Sequence, residues 1–183
     1  MVGSCISPLM MLLAEVSNVM IDAPQSLVDA FQGWAHLYGK TRLVSTGVTY
    51  VHFAGLLLGG GAAVAADRET LRASKEADSV RADHLQFLGT VHAFAITGLA
   101  MLAGSGILML LADLEVFWAS KAFWSKMTLV ALLLANGLMM RRAEQLVATV
   151  PDRAWAQLKR TAVISLVLWF AIVLASTILA ATA

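Results

Sequence analysis

Cysteine occurs once, at Cys5, so the chain has no internal disulfide and no CxxC redox centre. That single thiol leaves the redox compartment open. Charge is sparse as well: 14% of the 183 residues are charged and the formal net charge is +1. Nucleic-acid binding needs a basic surface, so no nucleic-acid partner is expected. The sequence carries no phosphate-binding glycine loop, no nucleophilic Ser or Cys triad and no compact zinc spacing. What it has in abundance is apolar side chain. Hydrophobic residues make up 59% of the chain and the mean hydropathy is +0.76, more apolar surface than a soluble core of this size can hide.

Four stretches, residues 43–66, 85–111, 122–140 and 161–181, approach the roughly 20 apolar residues that cross a bilayer core. In lipid the backbone must satisfy its own polar groups, and none of these runs alternates as a barrel strand would, so each is expected to be a helix. The expected fold is all-α, an integral membrane four-helix bundle over residues 43–183. Charges collect in the connections, at Asp67–Asp83 and Arg141–Arg160, and no Asp or Glu is expected well inside a span. That distribution argues against proton-coupled transport within the membrane. Nine basic residues (Arg68, Arg72, Lys75, Arg81, Arg141, Arg142, Arg153, Lys159, Arg160) lie on one side, against Lys40, Arg42, Lys121 and Lys126 on the other. The positive-inside rule then puts the first and third connections in the cytoplasm. Both termini face outward, as in a multi-pass protein of the bacterial inner membrane.

Residues 1–42 form a separate N-terminal segment. Ile6–Met20 is apolar but carries Glu15, follows no basic stretch, and has the layout of neither a span nor a signal peptide. After Pro24, which suits a first helical turn, Leu27, Phe31, Trp34, Leu37 and Tyr38 recur at helical spacing. Two placements fit this pattern: an amphipathic helix on the outer membrane surface with Trp34 and Tyr38 at headgroup level, or a helix capping the bundle.

Candidate chemistry is confined to a few side chains. In the first span Gly55 and Gly59 form a GxxxG that lets a neighbouring backbone come close, and His52 shares that face. A histidine in the hydrocarbon zone needs a partner; it is either a ligand to a cofactor or a neutral imidazole hydrogen-bonded to the next helix. His92 lies in the second span, about 10 Å from His52 in depth by helical rise, which disfavours a bis-histidine haem between them. His84, at the cytoplasmic mouth, reads as a loop residue. Met101 lies nearer the depth of His52 and on the face opposite His92; with His52 it offers a thioether and imidazole pair for haem or copper, the alternative being ordinary packing. In the third span Ser120 is the expected N-cap and Lys126 lies about one turn inside, as an interfacial anchor or as a partner of Asp113 or Glu115. Asn136 and Gly137 are expected to make an interhelical hydrogen bond and a close contact, and Ser165, Trp169 and Ser176 to share one packing side.

Taken together, His52 followed by Gly55, Gly59–Gly61, Asp67 and Arg68, then Thr97-Gly98, then Phe123, Trp124 and Lys126, and finally Ser165–Trp169, resemble the copper resistance protein D-like superfamily, in particular its small four-helix bacterial members. The resemblance spans about residues 34–180. It implies a role for His52 as a metal or haem ligand and for Lys126 as partner of a propionate or other anion, with haem b or copper as cofactor. A membrane protoporphyrinogen oxidase family within the superfamily is similar in its helix-one His and helix-three Lys, but its Arg follows the His more closely than here, which weighs against oxidase activity. The competing expectations are a haem- or porphyrin-binding protein through His52, with His92 and Lys126 as further contacts; a copper-handling protein through His52 and Met101; and a non-catalytic accessory subunit that meets other subunits or a second copy through small-residue faces.

Overall fold

The computed structural model describes residues 23–76, 78–147 and 149–182. Cys5 and Ile6–Met20 lie outside them. The described residues form helices joined by short turns, with no strand. Helix α1 is Gln25–Lys40. Helix α2 runs Arg42–Ala73 as one 32-residue rod with a single π turn at Leu56–Gly60. Helix α3 is Asp78–Ala112, α4 the short Leu114–Ala119, α5 Lys121–Leu146 and α6 Pro151–Thr182. Four of them, α2, α3, α5 and α6, are long and apolar enough to cross a membrane.

The helices run past the apolar stretches that mark them in the sequence. Charged residues such as Asp67, Arg68, Arg141 and Arg142 sit within α2 and α5 and not in connections. A helix continues as long as its residues tolerate the conformation, and Arg, Glu, Ala and Leu all do; hydropathy ends sooner than helicity. Ser120 caps α5 as expected, its hydroxyl accepting from the Phe123 N–H at 3.3 Å. Next to it Phe117, Trp118, Phe123 and Trp124 form an aromatic cluster, with Trp118 and Trp124 edge to face at 5.6 Å and the Trp124 indole N–H donating to the Trp118 carbonyl at 2.9 Å. This end of the helices is aromatic; the other, where α2 ends at Ala73 and α5 at Leu146, is basic.

Packing is pairwise: α2 lies along α3, α5 along α6, and the basic-end half of α2 joins the pairs by packing on α6. The α2–α3 crossing is set by glycine. A Cβ at Gly98 would fall on the backbone of Gly59 and 2.8 Å from the Gly55 carbonyl oxygen, so the GxxxG face of α2 is covered within the chain. On the other side of α2 the ring of Trp169 rests over Gly60. Two apolar clusters follow from this arrangement. One, at the basic end, joins Ala66, Ala73, Leu88, Met140, Ala143, Trp155 and Leu158; the other joins Leu133, Trp169 and Ile172. Asn136 ties α5 to α6 as expected, its amide donating to the Thr161 carbonyl at 2.9 Å, whereas Gly137 has open space beside it and makes no close contact.

Helix α1 packs from outside on α3. The Trp34 indole N–H donates to the Leu108 carbonyl at 2.8 Å, docking α1 on the aromatic-end part of α3, and the Trp34 and Tyr38 rings pack at 5.9 Å. No α1 residue is buried, so its apolar residues Leu27 and Leu37 stay largely uncovered.

Candidate functional site

The histidines of interest occupy two separate places. At the aromatic end, His52 on α2 contacts Ser105 on α3, Nδ1 to Oγ at 2.9 Å. Ser105 has one hydroxyl proton and gives it to the Met101 carbonyl at 2.5 Å. Its oxygen therefore accepts from His52 Nδ1–H, which makes Nε2 the nitrogen with the free lone pair. A ring tied at one nitrogen and presenting the other is the arrangement a metal-ligating histidine uses. The Met101 Cα–Cβ stem lies against Gly55, since a Cβ there would come within 2.9 Å of that of Met101. Met101 is thus one turn of α3 from the residue that His52 touches. The Lys126 ammonium, on α5, is near enough for its charge to act on His52, and it makes no ion pair with Asp113 or Glu115 among the described residues. The aromatic-end turns of α2 also line a wide outward-facing groove of about 360 Å³, formed by Ser45, Thr46, Thr49, Tyr50 and Phe53.

At the basic end, His92 points to α5, with Nε2 at 3.5 Å from Glu144 Oε1. His52 meets α3 at Ser105, about 20 Å along the helix axis from His92, so the two imidazoles do not share a site. The structure agrees with the depth difference expected from the sequence and widens it.

His84 departs from expectation. It is buried inside α3, where Thr70 donates its hydroxyl proton to the Ala66 carbonyl and accepts from His84 Nε2 at 2.9 Å, under the ring of Trp155. The loop reading fails because α3 starts at Asp78, which brings His84 within the packed stretch of the helix.

Two acidic groups were missed by hydropathy. Asp67 on α2 is 2% exposed; Ser165 shares its cavity wall, and Oδ2 has no partner among the described residues. Glu144 on α5 is half-buried, with His92 facing it and Arg141 one turn away on its own helix. Asp67, His92, Asn136, Arg141, Ser165 and Trp169 line one cavity of about 210 Å³ whose remaining wall is apolar. The signal for Asp67 was available: it falls seven residues, nearly two turns, beyond Gly60, on the face that packs against Trp169.

Neither place is a preformed metal centre. Among the described residues no three His, Cys, Asp or Glu side chains converge on a metal-sized position. The chain matches no family model, no curated protein and no solved structure. Function must therefore be argued from these two polar places in an otherwise apolar set of helices.

Proposed function

We propose that this chain is a multi-pass protein of the bacterial inner membrane, a four-helix bundle with both termini outside, that binds b-type haem or a related porphyrin through His52. The membrane part rests on the four long apolar helices and on the exposed apolar belt they carry, including Leu57, Phe94, Leu138, Val167 and Phe170. The nine basic residues at one end favour placing that end in the cytoplasm. The observation that carries the haem reading is the Ser105 contact, which leaves His52 Nε2 as a Lewis base in an apolar setting. Lys126 is the cation available to a propionate. His52 would hold the haem through its imidazole, and His92, about 20 Å away along α3 and facing Glu144, would not share it. A haem so held supplies one-electron chemistry; the chain's own part is to orient the imidazole and neutralise the anionic edge. The resemblance to the copper resistance protein D-like superfamily points to the same two residues.

Copper is the second reading, favoured by the placement of Met101 one turn from Ser105 and against Gly55, since imidazole and thioether are ligands for cuprous ion. Contact with other membrane subunits, or with a second copy, would use faces other than the Gly55–Gly59 stripe, which α3 already covers. The test is the absorption spectrum and metal content of detergent-purified protein from haem-replete cells. A Soret band lost in His52→Ala and kept in His92→Ala is the expected result. A colourless, iron-free preparation refutes the haem reading, and bound copper lost in His52→Ala or Met101→Leu puts the second in its place.

A further inference from the structure

The cavity at the basic end is independent of His52, and its charges do not balance. On α5 Glu144 lies one turn from Arg141 and has the His92 imidazole 3.5 Å away, though its Oε1 makes no hydrogen bond among the described residues. Asp67 faces no cation: it is 2% exposed, makes no ion pair among the described residues, and shares its wall of the cavity with Ser165, with Oδ2 unpartnered. Burying a carboxylate oxygen without a donor is costly, and a site that keeps one is missing the group that would satisfy it. On α6 Trp169 lines the same cavity one turn from Ser165; His92, Asn136 and Arg141 also reach its wall, and the rest is aliphatic, from Ala63, Leu88, Val91 and Leu133 among others.

The cavity also has a mouth. Helices α3 and α5 share no packed stretch, and the lining residues between them, Ile96, Leu134 and Leu138, are 52%, 50% and 61% exposed. The opening is therefore apolar and faces sideways, where lipid would be in the proposed membrane. A carboxylate oxygen, an indole and an aliphatic wall behind a lateral apolar mouth match one ligand chemistry: an ammonium group on a small apolar body. We infer that the cavity between α2, α3, α5 and α6 binds an amphipathic organic ammonium, with Asp67 as its counter-ion and Trp169 as the aromatic wall beside the charge. The volume, about 210 Å³, restricts the bound part to a single ring or a short alkyl chain with its ammonium.

The probe is benzyltrimethylammonium, and its neutral counterpart is neopentylbenzene, the same shape with carbon in place of nitrogen. Calorimetric titration of the full chain in neutral detergent should give saturable binding of the cation and binding of the hydrocarbon at least about ten-fold weaker, from loss of the charged contact. Asp67→Asn should erase that difference, whereas Glu115→Gln, which removes an exposed carboxylate at the aromatic end, should keep it. Repeating the titration in phosphatidylglycerol nanodiscs with and without phosphatidylethanolamine separates two sources of the same chemistry. Competition identifies a lipid amine headgroup as the resident ligand, and its absence identifies a free amphipathic amine. No saturable binding by the wild type, equal affinity for the two probes, or unchanged discrimination in a folded Asp67→Asn overturns the inference. Should Asp67→Asn fail to fold, the wild-type comparison of cation with hydrocarbon still decides.

Discussion

Replacing Gly98 with alanine would put a methyl group onto the backbone of Gly59 and within 2.8 Å of the Gly55 carbonyl oxygen. Both obstacles are main chain in the middle of a helix, so neither can rotate aside; α2 and α3 must separate. Overpacking of an interior contact costs about 1–3 kcal/mol, and a clash with backbone belongs at the upper end of that range. Against this stands a gain of about 0.5–1 kcal/mol because alanine is a better helix former than glycine. The net expectation for Gly98→Ala is a loss of about 2 kcal/mol, roughly a thirty-fold shift in the folded-to-unfolded ratio. Gly104 on the same helix is the internal control, since a Cβ there meets nothing within 4 Å, and Gly104→Ala should be neutral or slightly stabilising. The assay is equilibrium unfolding in mixed micelles, read by circular dichroism, on the wild type and both variants. Equal stability of Gly98→Ala and wild type, or equal loss in the two variants, would refute the close crossing of α2 and α3.

Asn136→Leu removes the amide that donates to the Thr161 carbonyl and should cost about 1 kcal/mol in the same assay, the scale of hydrogen bonds between membrane helices. A cost near zero would mean that the α5–α6 pairing stands on its apolar contacts alone. Trp34→Phe keeps an aromatic ring but loses the N–H that donates to Leu108, so α1 should become more readily cleaved by protease while the α2–α6 core keeps its unfolding midpoint. Unchanged cleavage would show that this hydrogen bond does not hold α1 in place.

How far each residue was legible depended on how its environment is encoded. The Ser120 cap and the Asn136 bond are local or one-helix patterns, and both were readable. His52 was placed on the inner face by its spacing from Gly55 and Gly59, and it does meet α3. His84, Asp67 and Glu144 were lost for one shared reason. Hydropathy treats a charged or polar residue as the end of a span, while the helix extends beyond it and buries its next turns against neighbours that also extend.

The sequence by itself determined that four helices are long and apolar enough to span, and where the basic and aromatic ends lie, because these follow from residue counts along one dimension. Tertiary structure alone decided which polar residues share a place. A helical period puts every residue on some face, and only the neighbouring helix makes that face an interior. So His52 came to Ser105, and Asp67 was left with one oxygen unanswered inside a cavity that four different helices enclose.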